Sequence, residues 1–156
     1  MKTADLTGAL LDYWVARAET KGKGMRWEQQ GRDWIGFGTI GSSPEFAFWI
    51  VTDATLLHDR AGLSAAYPSA RFYSPSTNWA QGGPILERMR LLEANGCVGG
   101  MGWYVRGPWA PCDGDQVYGD TLLEAAMRSY VLSKFGREVP DEGAAIQAAA
   151  QGEQDA

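Results

Sequence analysis

The apolar residues of this chain change their period twice, and that change limits the folds it can adopt. Near the start, Leu10, Leu11, Trp14, Val15 and Ala18 recur on one face of a helix that begins after Thr7. Lys21, Gly22, Lys23 and Gly24 then break the pattern. Near the end, Leu123, Ala126, Met127, Tyr130, Val131 and Phe135 repeat the same logic between a Thr121 and Glu124 capping box and a stop at Gly136. The middle reads as extended chain. Trp27, the aromatic run 34–40 and the run 46–52 predict strands, the last two joined by a glycine, serine and proline connection of hairpin length at 41–45. Trp103, Tyr104 and Val105 predict a further short strand. A central helix is expected to open at Pro84, to carry Ile85, Leu86, Met89 and Leu92 on its apolar stripe, and to stop at Asn95 and Gly96. The sum is an α+β fold: a small antiparallel sheet with an N-terminal helix, a short central helix and a C-terminal helix packed on it.

At 156 residues the chain has the size of one domain that closes its own core. We place that domain at 1–138 and read 139–156 as an acidic, alanine-rich, flexible tail, because no apolar stripe runs through it. Residues 53–71 have no sustained period and read as a long loop, although Leu56, Leu57 and Leu63 could pack locally. Residues 107–114 are rich in turn formers. Cys97 and Cys112 lack the partners of a zinc site and read as reduced thiols. No apolar stretch approaches the roughly 18 residues of a membrane span, so a cytoplasmic compartment without a membrane partner is expected.

A formal charge of −5 argues against a long nucleic acid, whose affinity comes from basic patches that release counterions. A small anion is not excluded by that argument, since one or two arginines and some backbone N–H groups suffice to hold it. Acid–base catalysis finds little material. The one histidine, His58, lies in the irregular stretch and reads as a surface residue. Asp5, Glu19, Glu28, Asp33, Asp53 and Glu87 show no spacing that would pair them. Phosphate-loop, dinucleotide, EF-hand and zinc patterns are missing, and Gly36, Gly38 and Gly41 are too aromatic in context to make one. The chain is therefore expected to be no enzyme and to carry no cofactor and no metal.

One segment is chemically dense: Tyr73, Ser74, Pro75, Ser76, Thr77, Asn78, Trp79, Ala80, Gln81, Gly82, Gly83 and Pro84. Ser76 or Thr77 can cap a helical turn, and Gly82 and Gly83 can leave N–H groups open beside the helix start at Pro84. Tyr73 and Trp79 offer ring faces, while Asn78 and Gln81 can read a base edge or a ribose hydroxyl. The competing reading is a structural loop whose polar groups serve its own backbone and whose Trp79 is core.

This run resembles the signature of the NinX-like phage proteins, a family of unknown function, in which Asp stands at the position of Asn78. Two flanking blocks are similar to the family as well: Leu6, Thr7, Gly8, Ala9, Leu10, Leu11, Asp12, Tyr13, Trp14, Val15 and Ala16, and the stretch 122–136. The resemblance implies a bacteriophage accessory protein in the cytoplasm of the infected bacterial host. In that setting the expected function is non-enzymatic binding of a small ligand, a cyclic or ADP-ribose-type nucleotide signal of antiphage defence that the protein sequesters. The expected site comprises Tyr73, Ser74, Ser76, Thr77, Asn78, Trp79, Gln81, Gly82 and Gly83, with Arg71 or Arg106 meeting a phosphate. A homo-oligomer would supply further walls to such a site. The alternative is a protein-binding module that inhibits or redirects a host protein through exposed tryptophans.

Overall fold

The computed structural model describes residues 1–20, 26–30, 33–38, 46–50, 56–57, 71–91, 93–97, 102–107 and 117–140, and at 9 and 26–72 the backbone only. The expected 41–45 connection, most of the 53–71 stretch with His58, the segment after Gly107 with Cys112, and the tail beyond Pro140 lie outside the described residues. The chain divides into two compact units: residues 1–15 with 74–139, and residues 16–73 with 140–156.

The first unit holds the C-terminal helix. A 3-10 turn at Thr3–Asp5 precedes α1, Gly8–Thr20, whose early turns bury Leu11, Tyr13, Trp14 and Val15. Helix α2, Trp79–Met89, is followed by a three-stranded antiparallel sheet of β6, Glu93–Gly96, β7, Trp103–Arg106, and β8, Val117–Gly119. Helix α3, Leu122–Phe135, closes the unit. Val105 and Val117 project from one face of the sheet onto Ala125 of α3. Gly119 makes this approach possible, since a Cβ there would lie 2.5 Å from the Ala125 backbone nitrogen. At the other end of α3, Phe135 meets Trp14 edge-on at 5.0 Å.

The second unit is a five-stranded sheet. β1, Arg26–Gln30, β2, Asp33–Gly38, β3, Phe46–Ile50, and β4, Leu56–Leu57, pair antiparallel in sequence order. β5, Arg71–Phe72, pairs with the start of β3 in parallel, Phe46 facing Arg71. The hairpin expected from the two aromatic runs is present, with Trp34 opposite Ile50 and Gly38 opposite Phe46.

The α+β expectation holds, with corrections in detail. The strands form two sheets, and one of them includes a parallel pair. Leu56 and Leu57 sit in a strand although no period announces one, because pairing with Trp49 and Ile50 supplies the missing signal. The central helix begins five residues before Pro84 and ends at Met89, where Arg90 turns left-handed at φ 51°. Asn95 and Gly96, read as its stop signal, are drawn instead into β6 opposite Tyr104 and Trp103.

Two devices hold the first unit together. The chain start pairs with the segment after α3: Thr3 N–H donates to the Arg137 carbonyl at 2.8 Å, and Val139 N–H to the Met1 carbonyl at 2.9 Å. Arg128 is the second. Its guanidinium donates to the Leu6 carbonyl at 2.6 Å, the Tyr118 carbonyl at 2.7 Å and Glu124 Oε1 at 2.8 Å, so one planar fork ties the approach to α1, strand β8 and helix α3. Glu124 also completes the α3 start, taking Asp120 N–H at 2.8 Å while Thr121 Oγ1 accepts Glu124 N–H at 3.1 Å.

Arg128→Met should therefore lower the unfolding free energy by about 2–4 kcal/mol in urea titrations, because it removes the guanidinium donor from the Leu6 and Tyr118 carbonyls and the ion pair from Glu124. Arg128→Lys should recover less than half of the loss, since a point ammonium cannot reach three acceptors in one plane.

Candidate functional site

The 73–84 run folds into a turn followed directly by the first turns of α2. Ser74 is the pivot. Its carbonyl accepts the N–H groups of Thr77 at 3.1 Å and Asn78 at 2.9 Å, which closes the turn over Pro75 and Ser76. Its own N–H donates to Gln81 Oε1 at 2.6 Å, so the helix reaches back to hold the segment that precedes it. Asn78 is the N-cap, with Oδ1 accepting Ala80 N–H at 3.0 Å. An aspartate at this position would cap equally well. Neither Ser76 nor Thr77 supplies the cap that the sequence suggested.

The turn is pressed inward. Tyr73, Ser74, Pro75 and Ser76 are all buried. Gly82 donates its N–H to the Asn78 carbonyl at 2.8 Å, so this donor is inside the helix and not open to a ligand. A Cβ on Gly82 would lie 2.1 Å from the Pro75 oxygen and 2.7 Å from Leu123 Cδ1, where α2 and α3 touch near their starts. Gly83 is different: a Cβ there would meet only Trp79 Cε3, at an ordinary 3.7 Å. Trp79 is not core. It is 58% exposed on the first turn of α2, with Thr77, Ala80 and Pro84 exposed around it.

The contact that seats the turn was not foreseen as functional. Asp12 of α1, wholly buried, accepts the Ser76 backbone N–H on Oδ1 at 2.7 Å. Burial out of water pushes its carboxyl from 3.8 up to about 7, against the opposing pull of the Ser76 backbone N–H and hydroxyl. The available signal was an acidic residue inside the apolar block that runs from Leu10 to Ala16.

The two expected phosphate contacts lie on strands. Arg71 heads β5 in the other unit, and its side chain lies outside what is described. Arg106, on β7, faces Glu93 with Nε 3.5 Å from Oε2. The Tyr104 hydroxyl donates to Glu93 Oε1, and Asn95 Nδ2 donates to both at 3.0 Å. That hydroxyl first, and Arg106 after it, hold the Glu93 carboxyl below the usual carboxylate range. Among the described residues no group of His, Cys, Asp or Glu side chains is arranged to hold a metal. No described helix is long and apolar enough to cross a membrane.

Three sequence blocks thus meet in one packed joint: Asp12 from α1, the 73–84 run, and Leu123 from α3. A family model described as bacteriophage P22 NinX matches residues 2–134, which covers all three. The chain belongs to this family. No curated protein matches it. In this NinX-family chain the best-marked motif is first a piece of architecture: its serine, asparagine and glutamine backbone and side-chain groups bond largely to one another and to Asp12.

The two glycines should separate cleanly on substitution. Gly82→Ala should cost more than about 2 kcal/mol, because a backbone oxygen and a leucine must both move, whereas Gly83→Ala should be neutral or stabilising by up to about 1 kcal/mol through helix propensity. Chemical denaturation of the two variants checks this. Asp12 should also make stability depend on pH. Since its folded pKa lies above its unfolded one, the stability it contributes is fully present below about 3.8 and is lost as pH rises through about 7. Asp12→Asn, which keeps an acceptor for Ser76 N–H, should match the parent near pH 4 and exceed it near pH 8, by an amount bounded at roughly 4 kcal/mol. Melting curves across that range give the sign.

Proposed function

We propose that this NinX-family chain is a non-enzymatic phage accessory protein, acting in the cytoplasm of the infected bacterium, that docks on a host protein by seating Trp79 in a pocket of its partner. One observation carries the reading: a tryptophan 58% exposed on a helix start where Asn78 Oδ1 and Gln81 Oε1 are already engaged by backbone N–H groups. Tryptophan is the residue type most enriched among interface anchors, and the anchors that contribute most are held rigid before binding. Trp79 meets that condition, since the capped turn at Asn78 and the Gln81 to Ser74 bond fix the backbone beneath it. The net charge of −5 suits a protein partner better than a nucleic acid.

Sequestration of a nucleotide signal is the second reading, and the same ring supports it, because an exposed indole is a stacking face for a base. Its edge-reading groups are weaker candidates, since Asn78 Oδ1 and Gln81 Oε1 already accept backbone N–H groups. Docking on a protein needs no such readers.

Affinity capture from phage-infected cells with the parent chain and with Trp79→Ala tests the proposal, provided each captured protein is purified and titrated. The expected result is a stoichiometric host partner whose affinity falls by about 30-fold or more in Trp79→Ala, with the melting temperature unchanged. A partner bound equally well by the variant would overturn it. A melting-temperature rise with cyclic nucleotides or ADP-ribose derivatives that disappears in Trp79→Ala would favour the second reading instead.

A further inference from the structure

We infer that two copies of this chain pair through strand β6, the β6 edges running antiparallel about Asn95 so that two three-stranded sheets join into one continuous sheet. β6, Glu93–Gly96, lies at one end of the sheet order and, among the described strands, pairs with β7 alone. The phase of that pairing says which backbone groups face out. Cys97 N–H donates to the Gly102 carbonyl at 2.7 Å, so by alternation Asn95 and Glu93 also turn their backbone groups toward β7, against Tyr104 and Arg106. Ala94 and Gly96 then direct their N–H and carbonyl groups away from the sheet. Ala94, Asn95 and Gly96 are all exposed, and a Cβ at Gly96 would meet nothing within 4 Å. An open edge is a template for pairing, and proteins that stay single blunt theirs with lysine, proline or a bulge. β6 has no lysine and no proline, and its register against β7 is unbroken.

A second copy is the occupant because this edge is complementary to itself. With the two-fold axis at Asn95, Ala94 lies opposite Gly96 of the partner subunit, and Ala94 and Gly96 exchange N–H to carbonyl bonds across the seam, twice over by symmetry. Moving the axis to Ala94 or to Gly96 would send the other residue to a position beyond the end of β6, so the Asn95 register satisfies the most outward groups. The side chains agree with the same register. Ala94 and Gly96 share the face on which Val105 packs onto α3. The Ala94 methyl therefore enters the open space above Gly96 of the partner subunit, where the tryptophan opposite that glycine, Trp103, is 37% exposed. Charge does not oppose the pairing. Glu93, the one charged residue of β6, falls opposite Cys97 of the partner subunit and away from its own counterpart, and within its own chain it is held by Arg106 and Tyr104. Trp79, on α2, takes no part in the seam.

Sedimentation equilibrium of the full chain tests the inference. The parent should exchange between monomer and dimer with a Kd of about 50 µM or tighter, the range of a small interface. Asn95 stands opposite its own counterpart in this register. Asn95→Lys and Asn95→Asp should therefore each weaken self-association about fivefold or more by like-charge repulsion, while a mixture of the two variants should associate about tenfold or more tightly than either does with itself. Ala94→Pro, which removes an outward N–H, should abolish the dimer, and Trp79→Ala should leave it intact. A parent chain that stays monomeric at about 100 µM would overturn the inference and leave the edge to a strand of another protein. A dimer indifferent to both charges at position 95, or a mixture no tighter than its components, would overturn it equally, whether or not Ala94→Pro folds.

Discussion

The first unit is built around a carboxylate that has been taken out of water. Asp12 sits in the apolar face of α1 and accepts one backbone N–H, that of Ser76. A hydrogen bond to a charged acceptor contributes on the order of 1.5–3 kcal/mol, which offsets part of the desolvation of the carboxylate but not all of it. The remainder appears as a pKa near 7. The geometry that follows is specific. Only a chain that turns at Pro75 to Thr77 presents the Ser76 N–H to α1, and only a glycine at position 82 lets α2 start close against that turn. Asp12, the turn and Gly82 therefore form one constraint, and the placement of α2 beside α3 depends on it.

That constraint reorganises the chemistry of the 73–84 run. Serine, asparagine and glutamine side chains in a short segment suggest ligand reading, because free amides and hydroxyls do that work in binding loops. Here the same groups close a turn, cap a helix and tie the two together. What stays outside is the ring of Trp79, which lies beside Gly83 on the exposed first turn of α2. A loop that is internally satisfied and rigid can present one large side chain with little loss of conformational freedom on binding. The surface that results has one anchor and few donors, and it differs in kind from the β6 edge, where backbone groups stand beside small side chains.

Much of the architecture was readable because it rests on local rules. The apolar stripe from Leu10 places α1, and Thr121 caps α3 as its hydroxyl chemistry demands. The aromatic runs around Trp34 and Phe48 pair as a hairpin for the same reason. Pro84 misled, since proline favours a first helical turn, but here α2 already starts at Trp79 under an Asn78 cap and carries Pro84 inside it. Asn95 and Gly96 misled in the same way, their turn preference yielding to the ladder with Tyr104 and Trp103. Arg128 gave no sequence sign of its role, because its three acceptors come from Leu6, Tyr118 and Glu124.

The sequence alone determined the α+β class, the start of α1 and both ends of α3. These follow from periodicity and capping, which act within a few residues and are visible in one dimension. Tertiary structure alone decided the rest: that Asp12 holds Ser76, that Gly82 is a contact and not an open donor, that Arg106 faces Glu93, and that Trp79 stays in solvent. Each of those outcomes depends on which distant group arrives within hydrogen-bonding or van der Waals reach, and chain spacing carries no record of that.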